Sequence, residues 1–405
     1  MKLYPNMTFM DRMKAPDFLK GIAIIGIIMQ HAYEGVYGTS ADHDLFSFFP
    51  GLFTTYFRFD LRSLSSISQS ILKLTEMGYQ GVHVFVIIAG FLAIYSTNKV
   101  AFEPYRYYGR RFSRIYPLYW IALSGVIAFD VLVYGKLAEV HLGGATNMQI
   151  LGMYLGFYDN STNAWVLNPA LWFITMVIQL FMFFPLLRGL LIRVKDVKFL
   201  VLTGALSTIF LYIFMNSSPL AGYFAGCWLF EFAFGMVLAN RFEKFEKILS
   251  SFKFMIFLVP VYFIGFYLAN FAVVWPIGRQ LYGVSLTLFL WTLYNLLVKV
   301  KSLKIITNAF VFVGVNSYAL FLINLPFIHK YFDLVSNYAA SWSGPIFGSP
   351  YNFMYLPIQS YLIILLSYIV VMLFIAFVLT KTDNFLHRKL YSWGSKQSSM
   401  KVSDN

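Results

Sequence analysis

Runs of about 20 apolar residues, the length that crosses a hydrocarbon core as a helix, recur along nearly the whole of this 405-residue chain. They fall near 18–37, 79–96, 115–134, 170–192, 197–216, 220–240, 254–275, 280–298, 308–330 and 356–380. Within lipid every backbone polar group must be satisfied inside its own segment or a closed barrel, and runs of this length select the helix. The expected fold is therefore an all-α integral membrane bundle of about ten transmembrane helices. A further apolar stretch, 147–158, is too short to span and reads as a re-entrant or interfacial segment. Composition agrees: apolar residues are 59% and charged residues 12%, against about half and a quarter in soluble domains.

Loop charge sets the orientation, because cytoplasmic loops keep the excess of Lys and Arg. With the N-terminus inside, 25 of the 31 basic residues fall on inner segments. Only Arg58, Arg62, Lys73, Lys136, Arg279 and Lys330 fall outside. The expectation is cytoplasmic N- and C-termini in the cytoplasmic (inner) cell membrane. The net charge of +13 is explained by this asymmetry, so nucleic acid is not an expected partner; membrane lipids are. Residues 1–385 read as one transmembrane domain and 386–405 as a cytoplasmic polar and basic tail. The first run holds a histidine and lacks a small-residue cleavage site, unlike a cleavable signal peptide. One cysteine, Cys227, permits no intrachain disulfide and no cysteine-based metal cluster.

Polar groups inside the membrane are costly and mark function by default. In the first span Lys20 and His31 are eleven residues apart, which places them on one helix face roughly 16 Å apart along the axis. Asp17 shares that face and Glu34 lies one turn beyond His31. An interfacial anchor plus a structural histidine is the plainer reading of the same spacing. The loop Tyr105 to Pro117 carries Arg106, Arg110, Arg111 and Arg114. It reads either as ordinary positive-inside anchoring or as a phosphate site, since guanidinium groups present bidentate donors to phosphoryl oxygens. His83, Gln179, Glu231 and Asn324 are further intramembrane candidates, each alone consistent with helix–helix glue.

Taken in order, these segments resemble membrane acyltransferase family 3, the multi-pass enzymes that acylate bacterial surface glycans and lipids. The resemblance lies in Asp17 to Ala23 with His31 after ten residues intervening from Lys20, in Gly81 to Phe91, and in Arg110 to Trp120. It continues through Leu171-Trp172 to Gln179 and Pro185, and through Gly314 to Asn324. Three positions depart from the family pattern: Ala89 replaces a serine, Gln179 a frequent glutamate and Asn324 a frequent histidine. The last two remove ionisable groups, leaving Glu34, Glu231 and His83 as substitutes.

The resemblance implies transfer of an acyl group, acetyl first, from cytoplasmic acyl-CoA (acetyl-CoA) to a hydroxyl of a cell-surface or lipid-linked glycan at the outer face, without a metal. The roles it implies are catalysis by His31, with Glu34 and Glu231, and donor binding by Lys20, Arg110, Arg111 and Arg114. Substrate binding falls to His83, Trp172, Gln179 and Asn324. A neutral histidine suits a general base near working pH, and 16 Å is the scale of an extended pantetheine arm. A homo-oligomer is left open. Two rivals remain: a polytopic glycosyltransferase using a lipid-phosphate sugar, cued by Asp42-His43-Asp44, and a polysaccharide or small-molecule transporter with His31 and Glu231 as a proton relay.

Overall fold

A computed structural model describes residues 9–37, 75, 77–98, 102–134, 147–156, 168–214, 224–271, 273–340 and 358–403. Among these residues the regular structure is helical throughout, with no strand. The helices are α1 (Phe9–Tyr37), α2 (Gly81–Thr97), α3 (Pro104–Tyr134), α4 (Asn147–Tyr154), α5 (Trp172–Val194) and α6 (Asp196–Phe214). They continue with α7 (Leu229–Asn240), α8 (Phe242–Ile248), α9 (Phe252–Leu268), α10 (Trp275–Leu297), α11 (Lys304–Val315), α12 (Ser317–Ala340) and α13 (Ile358–Ser403).

Five stretches are long and apolar enough to cross a membrane: Met77–Thr97, Pro104–Phe129, Trp172–Val194, Asp196–Phe214 and Tyr361–His387. Two bent pairs bring the number to as many as seven. One is α8 with α9, bent by 93°; the other is α10 with Lys301–Val315, bent by 118°. Among the described residues, some of the ten expected spans are single long helices and others are bent pairs or shorter pieces. The expected span 220–240 is the short apolar helix Ala225–Asn240, and 308–330 is divided at Asn316 between α11 and α12. There the Asn316 N–H and its side-chain Nδ2 both turn back onto Phe312 O, so one residue closes α11 as the next opens α12. Helix α1 runs unbroken through 18–37, but Asp17, Lys20, Gln30, His31 and Glu34 make it too polar to count among the five. Helix α13 is continuous to Ser403, so most of the expected polar tail is helical. Helix α12 reaches Ala340, into the expected outer segment 331–355.

The short segment between α3 and α5 forms α4, eight residues long. The last carbonyls of a helix have no intrahelical partner. Here side chains supply them: Trp120 Nε1 donates to Tyr154 O (2.8 Å), Tyr116 to Leu155 O (2.7 Å) and Tyr119 to Met153 O. Thr175 Oγ1 of α5 donates to Gly156 O. The aromatic end of the arginine motif thus anchors the short helix.

Several helix crossings close at glycine, and two of them set the helices that carry the polar candidates. A Cβ on Gly21 of α1 would overlap Phe310 O, and one on Gly314 of α11 would overlap Asp17 O. At the second crossing, Gly90 of α2 abuts Phe232 O and Gly235 of α7 abuts Ile87 O. Small residues let helix backbones approach closely where lipid offers no hydrophobic drive for association. Gly314→Ala and Gly235→Ala should each lower thermal stability in detergent, by about 1–3 kcal/mol as overpacking does. Gly109→Ala, at an open position of α3 with nothing near its Cβ, should be neutral or slightly stabilising. Equal effects at the three positions would remove the close-contact explanation.

Candidate active site

His31 lies on α1 among Ile24, Ile28 and Ala32, which pack against α12 and α13. Its Nδ1 is 2.7 Å from Nδ2 of Asn324, a fully buried residue of α12. Tyr368 of α13 donates its hydroxyl to Asn324 O at 2.6 Å and lies 3.3 Å from Asn324 Oδ1. Tyr361 of α13 donates to Met29 O, fastening α13 to α1 two residues before the histidine. Pro326 sits two residues past Asn324, inside α12. A proline has no N–H for the carbonyl four residues back, here Leu322 O. Asn168 Nδ2 takes that place at 2.8 Å, while its Oδ1 accepts from Ala170 N at the turn that opens α5. The proline thus ties the start of α5 to the helix that carries Asn324.

Glu34 Oε1 accepts from Gln30 Nε2 at 2.8 Å, on the same helix. Lys20 forms an ion pair with Asp17 at 2.7 Å, at the far end of α1 from His31. Of the arginines, Arg111 is partly buried and held by the protein. Its Nη2 donates to Leu92 O (2.9 Å) and Ser96 Oγ (3.0 Å) of α2, and its guanidinium lies 5.0 Å from the Phe181 ring centre. Arg110 and Arg114 are exposed, and Arg110 Nε donates to Arg106 O.

A second buried polar cluster surrounds His83 of α2. Its Nδ1 is 3.1 Å from Oε1 of Glu231 on α7, both side chains essentially inaccessible. The rings of Trp228 and Tyr282 lie 5.0 Å from the imidazole. Arg279 of α10 stacks its guanidinium 3.9 Å from the Trp228 ring centre and donates to Cys227 O at 3.2 Å. Glu231 Oε2 has no hydrogen-bond partner among the described residues. The α2–α7 glycine crossing explains the pairing: Ile87 and Gly235 each lie one turn beyond His83 and Glu231. Glu231 is thus bonded to His83, not to His31.

Trp172 and Gln179 brace the junction leading into α7. Trp172 packs 6.0 Å from Trp228, and Gln179 Oε1 accepts from Ala225 N at 3.2 Å. A run of aromatic rings then joins the two clusters, from Trp228 through Trp172 and Phe173 to Phe321, three residues before Asn324. Arg279 was counted from sequence as an outer-loop charge. It is instead buried in the first turns of α10; the Trp275-Pro276 pair before it, with proline in the first turn, was the available signal. Asn168 and Tyr368 were not singled out from sequence either. Asp42 and Asp44 lie outside the described residues, among which no group of three His, Cys, Asp or Glu residues is placed to hold a metal ion.

Residues 13–381 match the acyltransferase 3 family, described as an acyltransferase domain. The chain is 21% identical over 265 residues to "Putative acetyltransferase ORF330" of Acidianus two-tailed virus, covering 63% of this chain and 74% of that protein. No solved structure matches.

Removing one partner of a buried charged or hydrogen-bonded pair leaves the other uncompensated, at about 3–5 kcal/mol. Glu231→Ala should therefore destabilise the purified protein by that amount in thermal unfolding. Glu231→Gln, which keeps an oxygen toward His83, should lose clearly less. Equal losses would place the destabilisation in side-chain volume instead of the polar contact.

Proposed function

The chain belongs to the acyltransferase 3 family, and on that premise we propose that it moves an acyl group, acetyl first, from cytoplasmic acyl-coenzyme A to a hydroxyl of a cell-surface or lipid-linked glycan. Family membership makes it a multi-pass membrane acyltransferase; donor, acceptor and base are our reading. The observation that carries it is the placement of His31. Its helix is continuous from Lys20, its ring is held by a buried amide, and its position completes the lysine-to-histidine spacing of the family.

In this reading His31 takes the proton of the acceptor hydroxyl as the oxygen attacks the thioester carbon. The carbon–sulfur bond then breaks, and the leaving thiolate takes the proton back from the imidazolium. A base within hydrogen-bond reach of a poorly acidic hydroxyl is worth about 10²–10⁴ in rate. The donor phosphates are assigned to Lys20, Arg110 and Arg114. Arg111 contributes field while it holds α2 against α3. Glu34, one turn from His31, and the His83–Glu231 pair are assigned to the acceptor side, together with Trp172 and Gln179. The transporter rival loses support, because its proposed relay partners belong to different clusters.

We further place the chain in the cytoplasmic membrane with about ten crossings and both termini inside, on the strength of the basic-residue asymmetry. Cysteines introduced at Ser66 and Ser343 should react with an impermeant thiol reagent added to intact cells, and one at Ser113 should not. The native Cys227 is buried and gives little background. The reverse pattern would overturn this orientation.

The chemistry is tested with His31→Gln and Arg114→Ala. His31→Gln should bind acetyl-coenzyme A as the wild type does. It should yield none of the acylated surface glycan or lipid that mass spectrometry finds in cells with the native protein. Arg114→Ala should weaken donor binding by about tenfold or more, as loss of a charge-assisted contact does. Acylation by His31→Gln at the wild-type level would remove His31 as the base.

A further inference from the structure

We infer that Asn324 is a positioning residue that fixes the tautomer of His31, presenting its side-chain oxygen to an Nδ1–H and so placing the basic lone pair on Nε2; this rests on the reading of His31 as the base. An imidazole that works as a base through one nitrogen must carry its resting proton on the other, and the group hydrogen-bonded to that other nitrogen decides which. The Asn324 amide lies within reach of Nδ1, at 2.7 Å.

An amide can turn either its NH₂ or its oxygen to the ring, and the surrounding hydrogen bonds select between them. With NH₂ toward Nδ1, the ring must accept there, and its proton moves to Nε2, where it disables the base. Tyr368 then has a single hydroxyl hydrogen for two oxygens, Asn324 O at 2.6 Å and Oδ1 at 3.3 Å. With the amide turned over, the three contacts become three separate hydrogen bonds. His31 Nδ1–H donates to Asn324 Oδ1, Asn324 Nδ2 donates to the Tyr368 oxygen across the 3.3 Å contact, and the Tyr368 hydrogen goes wholly to Asn324 O. Three donors meet three acceptors, where the other orientation makes one undivided bond and divides a second. Asn324 and Tyr368 are both fully buried, and buried polar groups are satisfied almost without exception.

The same bond serves the reaction. When Nε2 takes the acceptor proton, Nδ1–H stays on Asn324 Oδ1, and the imidazolium has a fixed acceptor for the charge it gains. A neutral amide does this without adding a buried carboxylate, and Tyr368 keeps the amide from turning back.

The test is nitrogen NMR on histidine-labelled protein in lipid bilayers, with His31 identified by its absence from His31→Gln. The wild type should show His31 protonated at Nδ1. Asn324→Leu should shift it toward Nε2–H and lower acylated product at least about tenfold, since a misplaced tautomer costs an enzyme base heavily, while acetyl-coenzyme A still binds. Asn324→Asp keeps an oxygen toward Nδ1 and should retain both the Nδ1–H form and most of the transfer. Wild-type His31 protonated at Nε2, or full transfer by Asn324→Leu, would overturn the inference. Loss of transfer in both variants with His31 still protonated at Nδ1 would also overturn it. An active His31→Gln protein would instead overturn the reading of His31 as the base.

Discussion

Backbone-to-backbone contact at glycine is the constraint on which both polar clusters depend. Surrounded by lipid, apolar helix faces gain little by meeting each other, and close van der Waals approach must do the work. Where α1 meets α11, Gly21 and Gly314 allow each backbone to touch the other; that contact fixes the height and rotation of the helix carrying His31. Where α2 meets α7, Gly90 and Gly235 do the same, and the His83–Glu231 pair follows one turn away. Polar bonds then refine what the crossings impose. They could not set it, since a bond between side chains at a helix end tolerates more movement than interlocked backbones.

Much of this was legible in the sequence. Motif order identified the family, and long apolar runs gave α2, α3, α5, α6 and α13 their approximate places. What hydropathy could not see were the interruptions. Averaging over a window runs through Asn316, where two turns back onto Phe312 end one helix and start another. It also counts Arg279 by its neighbours in sequence, although the residue escapes water by lying on Trp228 and bonding to Cys227 O. The departures from the family pattern were informative in a way that the spacing alone did not show. Gln179 caps a turn, and Asn324 holds the histidine; in both places an amide has taken a role that needs hydrogen bonds and no charge. Among the candidate residues, Glu231 is bonded to His83 and Glu34 to Gln30, pairings that linear spacing along single helices does not display.

The arginine motif shows how one short segment can serve two purposes. Its exposed members, Arg110 and Arg114, face outward from α3, while Arg111 is turned inward against α2 and Phe181. A few residues on, Tyr116, Tyr119 and Trp120 of the same helix close the end of α4. Selection on such a segment would act on packing and on charge together, so a variant there needs both stability and binding measured before either is interpreted.

The length of α13 sets a reach. Its 46 residues extend about 69 Å at 1.5 Å per residue, more than twice the roughly 30 Å of hydrocarbon in a bilayer. Even a strongly tilted crossing cannot contain it. The apolar stretch within it ends at His387, and the same helix continues without a break for sixteen residues more, about 24 Å, so the polar end of the chain inherits the direction of the apolar stretch before it.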